Sequence, residues 1–214
     1  MSSRAGALGA AFFSLALLTA CGPAALHHGA DRRAPAGQTD YGAAPAFSMP
    51  DVAGGSFELT REAAAHRTVV LTFVTADCRE ECPKVEAVLL SAARVLAQRG
   101  SLGRTVDIVT VELDPRTNSR AAVRALRRRL WPHPGWDFLR GSPSETIAVS
   151  RAYEIVAAAR APGHDLVHSS YVYVIDDRLR QVALLALDVN LTPGKLLAAI
   201  AKSRANGNVH TRSI

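Results

Sequence analysis

The sequence predicts an α/β fold, a mixed β-sheet flanked by helices with a β-hairpin ahead of it. Three observations predict it. "TVVLTFV" (68–74) is a continuous apolar, β-branched run, as a strand buried on both faces would be. Directly after it, Val85, Val88, Leu89, Ala92, Val95 and Leu96 recur at helical period. Strand and helix then alternate again before the chain closes on two adjacent strands and a last helix.

Each element has a local reason. "FSMPDVAGGSFEL" holds two short alternating segments around Gly54-Gly55, a hairpin signal. Pro83 suits the first turn of the helix that follows "TVVLTFV". "TVDIVTVEL" reads as the second strand, and "NSRAAVRALRRRL" as a helix capped by Asn118 or Ser119. "SPSETIAVSRAYEI" is a further helix with capping-box spacing from Ser142 to Glu145. "SYVYVID" and "QVALLALDV" are strands joined by a tight turn at Asp177-Arg178, and "TPGKLLAAIAKSRA" is the closing helix. This order is the thioredoxin-like arrangement, with two cysteines where the first core strand meets its helix. The domain is expected over 46–205, with 206–214 as a tail.

The chain has 214 residues, 48% apolar and 21% charged, which suits one globular domain. The net charge of +6 is mostly arginine. The densest run, "RALRRRL", is interleaved with apolar residues and reads as a solvated helix face. No nucleic-acid reading motif accompanies it, and a basic surface also suits anionic lipid.

The N-terminus carries an address. One early positive charge precedes "ALGAAFFSLALL", which is too short to span a bilayer comfortably. Small residues and Cys21 follow, the shape of a signal peptide over 1–20. "LTAC" resembles the lipobox of bacterial lipoproteins, which implies lipidation of Cys21 and an extracytoplasmic (periplasmic-side), membrane-anchored protein. Residues 21–45 are rich in Gly, Ala and Pro and read as a flexible tether, in which His27 and His28 are idle.

With Cys21 so assigned, Cys78 and Cys82 are the cysteines left to the domain. At a helix N-terminus the dipole and unpaired N–H groups favour thiolate, the form that attacks disulfides and binds metals. Three residues separate the pair, where redox proteins of this fold use two. A structural disulfide, a redox pair and two ligands of a soft metal all remain open on spacing alone. His168, just before a core strand, is the candidate third ligand. His164 in "PGHDLVH" is the alternative, while His66 and His133 read as surface residues. Trp136 and Phe138 read as packing.

Four stretches, in order, carry a resemblance: "LTFVTADCREECPKVE", "VTVELDPRTN", "GWDFLRGSPSETIAVSRAYEI" and "VHSSYVYVID". They resemble the Sco/SenC family, membrane-tethered thioredoxin-like copper proteins that help assemble the CuA centre of cytochrome c oxidase. The matching positions are Cys78, Cys82 and Pro83; Asp114 and Pro115; Trp136, Phe138, Leu139, Gly141 and Tyr153; and His168, Ser169, Tyr173 and Ile175. The resemblance implies copper, Cu(I) and also Cu(II) with a further ligand, held by Cys78, Cys82 and His168. It implies the CuA-bearing oxidase subunit as partner. Two departures stand out. The family usually carries Pro-Asp-Val between the cysteines, here Arg79-Glu80-Glu81, and its second acid after Asp-Pro is here Asn118.

The leading functional expectation is a metallochaperone, passing copper on by ligand exchange. The alternative is a thiol:disulfide oxidoreductase using the Cys78–Cys82 pair to keep the oxidase cysteines reduced. A binding module with a structural disulfide is weaker, because so short a loop removes little unfolded-chain entropy. A peroxidase would leave the second cysteine superfluous.

Overall fold

The computed structural model describes residues 40–79, 82–158, 164–188 and 190–208. Cys21, His27, His28, Glu80, Glu81, Pro162 and Gly163 lie outside the described residues, as does the expected signal segment. A short antiparallel pair, β1 (Ser48–Pro50) and β2 (Ser56–Glu58), leads into helix α1 (Leu59–Ala64). Then follow β3 (Thr68–Val74), α2 (Cys82–Gln98), β4 (Val106–Glu112), α3 (Arg120–Leu130), β5 (Trp136–Leu139) and α4 (Pro143–Ala152). The chain ends in β6 (Tyr171–Ile175), β7 (Gln181–Ala186) and α5 (Pro193–Asn208). The sheet order is β5-β4-β3-β6-β7. Strands β3, β4 and β5 are parallel, and β6 and β7 are antiparallel additions beside β3.

Strand β3 is buried along its whole length because both faces of the sheet are covered. Alternate residues divide between two cores. Val70 and Val74 pack with Val85, Leu89 and Leu96 of α2 and with Leu196 of α5. Val69, Leu71 and Phe73 pack with Phe57, Leu59, Val149 and Tyr153 on the opposite face. The continuous apolar run is therefore two period-two patterns interleaved.

Helix ends follow their caps. Ser119 accepts from Ala122 N at 3.2 Å at the start of α3. The capping box at α4 is complete, Glu145 N donating to Ser142 Oγ and Ser142 N to Glu145 Oε2. The arginines of α3 are more than a solvated face. Arg124 donates to Val52 O at 2.8 Å, and Arg129 holds the buried Glu86 of α2 through both carboxylate oxygens.

Two elements were not expected from the sequence, α1 and β5. Strand β5 places Trp136 and Phe138 in the core, stacked at 5.3 Å, with Trp136 Nε1 donating to Thr110 Oγ1. The turn between β6 and β7 spans more than Asp177-Arg178. Leu179 takes a left-handed φ of 58°, and the Asp176 carboxylate accepts from Arg178 N and Arg180 N. The end of the segment read as tether bonds to this turn and to β7, through Tyr41 N to Gln181 O and Ala44 N to Leu179 O. Among the described residues no helix is long and apolar enough to cross a membrane.

Candidate metal and redox site

The site forms where β3 ends. After Val74 the chain turns, Cys78 N donating to Thr75 O at 3.1 Å. Cys82 is the first residue of α2, with Pro83 behind it, where a missing N–H is harmless. Cys78 and Cys82 are joined as a disulfide, their Cα atoms 5.7 Å apart, within the usual span. Cys82 is buried at 4% exposure and Cys78 is half-buried. Cys82 N donates to Cys78 Sγ at 3.2 Å, so a helix-start N–H is aimed at the outer sulfur. On reduction that N–H favours a thiolate there.

Beneath the turn lies a polar network that the sequence reading did not find. Glu112 closes β4 beside Val74 and is 1% exposed. Its Oε2 accepts from Ala76 N at 2.8 Å; its Oε1 accepts from Asp114 N at 2.8 Å and Asn118 Nδ2 at 2.9 Å. Asn118 Nδ2 also donates to Asp77 Oδ1 at 2.9 Å. Burial pushes the Glu112 carboxyl above its ordinary range, against the pull of Asn118 and the two backbone amides. Arg140, just past the end of β5, holds this corner, donating to Asn118 O and Pro115 O. The available signal was an acid closing an apolar strand just before Asp114-Pro115.

His168 stands three residues before β6, and β6 pairs with β3 through Val172 and Thr72. Its loop therefore emerges at the same sheet end as the cysteine turn. A short arm supports it: Ser169 N donates to Val156 O, and Ala158 N to Val167 O. His168 Nδ1 lies 3.0 Å from Ser169 O. A carbonyl only accepts, so Nδ1 carries the proton and Nε2 keeps the lone pair. Burial lowers the imidazole pKa, with the Ser169 carbonyl opposing, so the neutral ligand form is favoured. Asp165 of the same loop reaches across, its Oδ2 accepting from Arg79 N at 2.8 Å.

The structure thus joins Cys78 to Cys82 and ties the histidine loop to the cysteine loop. It does not bring His168 into one cluster with both sulfurs. Among the described residues no group of three His, Cys, Asp or Glu is arranged to hold a metal. His164 is exposed, His66 bonds Asp177, and His133 lies edge-on to Trp131.

Solved structures share the fold, three of them as follows. The chain superposes on Arabidopsis thaliana ScoI with copper bound at a TM-score of 0.63 and 21% identity, covering 76% of this chain and 98% of that one. A SCO1/SenC family lipoprotein from Bacillus anthracis gives 0.64 and 16%, covering 75% and 94%. BsSco, a Sco-family oxidase assembly protein in which a disulfide switch was identified, gives 0.63 and 17%, covering 78% and 96%. A separate local similarity is to the urease accessory protein UreF of Mycobacterium tuberculosis and Mycobacterium bovis. It is 29% identical over 115 residues, 49% of this chain and 53% of the relative. The chain thus spans about half the length of the curated relatives it matches. The SCO1/SenC family model matches residues 36–204, from ahead of the hairpin into α5. On that match the chain belongs to the SCO1/SenC family.

Proposed function

We propose that this chain is a membrane-anchored copper metallochaperone that delivers copper to the CuA site of cytochrome c oxidase. The observation that carries the reading is the disulfide pair at the start of α2 with the histidine loop docked on it through Asp165 and Arg79. Reduction opens the pair into two thiolates at a helix N-terminus. His168 offers a neutral imidazole whose Nε2 is free to ligate. Two thiolates and an imidazole suit Cu(I) in a trigonal site, and Cu(II) takes a further ligand. Copper bound to the Arabidopsis relative supports this choice. An incoming ligand from the oxidase cysteines can displace one sulfur at a time, because Cys78 is half-buried rather than enclosed.

The test is copper titration of the full-length reduced protein. Cys78→Ser or Cys82→Ser abolishes tight Cu(I) binding, because a hydroxyl is a poor ligand for a soft ion. His168→Ala weakens binding and alters the Cu(II) spectrum while the disulfide still forms. If the reduced protein binds copper no more tightly than the double cysteine variant, the chaperone reading is overturned. The disulfide itself favours a second reading, a thiol:disulfide oxidoreductase acting on the oxidase cysteines, and BsSco supports it. A redox protein needs both cysteines and is indifferent to His168. The anchor proposed is lipid on Cys21, holding the domain outside the cytoplasm. Cys21→Ser then frees the protein from membranes or leaves precursor, and unchanged fractionation refutes it.

A further inference from the structure

A carboxylate is acceptor-only, and Glu112 meets three neutral N–H donors with its two oxygens while almost completely buried. Two of those donors lie on the corner after β4, Asp114 N and Asn118 Nδ2. The third, Ala76 N, lies on the turn that presents Cys78. Asn118 extends the hold, spending its second N–H on Asp77, the residue next to Cys78.

We propose that Glu112 is the positioning residue of the cysteine turn. Through Ala76 and, by way of Asn118, Asp77, it sets where Cys78 stands against Cys82 and how readily the pair opens. The inference rests on the reading of Cys78 and Cys82 as a working thiol pair. Geometry and charge act in the same direction. The network holds the turn as it stands in the disulfide, and its buried negative charge opposes thiolates nearby. Both favour the oxidised pair over the dithiolate. For a copper cation the same charge is attractive, and a fixed turn presents the two sulfurs together.

The test variant is Glu112→Gln in the full-length protein. A glutamine offers one accepting oxygen, so its NH2 must face either Ala76 N–H or the Asp114 and Asn118 donors. The disulfide, equilibrated against a glutathione couple, should shift about tenfold toward the dithiol, about 30 mV more positive. The Cu(I) dissociation constant, measured against a competing chelator, should rise about tenfold. Asn118→Leu, similar in size but without the N–H donors, should move the potential the same way and by less; it decides the matter if Glu112→Gln does not fold. Ile200→Val, in the core between α5 and the sheet, should lower the melting temperature and leave the potential unmoved. A wild-type potential in both network variants, or a shift to more negative values, overturns the proposal. Failure of the wild type to bind copper refutes the chaperone reading alone, because the potential still reports on Glu112.

Discussion

Replacing Asp165 by Ala releases the histidine loop from the cysteine loop. The bond concerned, Arg79 N to Asp165 Oδ2 at 2.8 Å, joins segments 86 residues apart. A hydrogen bond to a charged acceptor is worth about 1.5–3 kcal/mol when protected from water. Here the donor is exposed, so solvent competition reduces the contribution to about 1 kcal/mol. That is a factor of about five in an equilibrium constant. Two assays follow. Hydrogen exchange at the Arg79 amide of the oxidised protein should accelerate about fivefold, because the amide loses its acceptor. Cu(I) affinity of the reduced protein should fall by a similar factor, because the loop carrying His168 must be ordered afresh. Asp165→Asn keeps a carbonyl acceptor and should fall between. Unchanged Arg79 exchange in Asp165→Ala would refute the bond as a restraint in solution. Faster exchange with unaltered copper affinity would show that the bond exists but does not position the loop.

Asp137 sits half-buried in β5, and burial first, then Asp51, Asp107 and Glu62, push its carboxyl from 3.8 up to about 7. An acid whose folded pKa is raised contributes stability below its unfolded pKa and loses it as pH rises toward the folded one. Urea unfolding should therefore show stability falling between about pH 4 and about pH 7, with a ceiling of about 4 kcal/mol at 1.4 kcal/mol per tenfold. Asp137→Asn should flatten that slope and be the more stable protein at about pH 8; an unaltered slope counts against the assignment. Gly135 has φ +91°, and a Cβ there would stand 2.6 Å from Gly103 N and 2.8 Å from Leu102 Cγ. Gly135→Ala should destabilise by about 2–4 kcal/mol in urea unfolding, and a loss below about 1 kcal/mol would show that the loop at 102–103 gives way.

What was legible in the sequence was what local pattern controls. Strands β3, β4 and β6 are apolar runs bounded by turn residues, α2 carries helical period, and α3 and α4 carry caps. Strand β5 escaped because its four residues include Asp137 and follow "PHPG", so no alternation survives to be counted. Its strand character comes from its parallel register with β4, Ile108 opposite Trp136. Helix α1 is only six residues long, without a side-chain cap, and is held by packing of Leu59 and Ala63. At the site, the cysteines stood out by residue type and spacing, and His168 through the family resemblance. Glu112 and Asp165 did not, because the bonds that tie them to the cysteine loop, to Ala76 N and Arg79 N, span 36 and 86 residues and form only once the sheet is assembled.

The network also accounts for one of this chain's departures from its family's pattern. An acid at position 118 would face two carboxylates, Glu112 and Asp77, at the distances where Asn118 now donates, 2.9 Å to each. Three acids cannot share that corner ionised, since like charges at contact force one to keep its proton. Asparagine is the residue type that resolves the conflict, because its NH2 supplies two donors and carries no charge. In this chain the side chain at 118 therefore suits the glutamate at 112, giving a donor to both acids it faces. The acid that remains buried at this corner is on the strand, Glu112, bonded to Ala76 N on the turn that carries Cys78.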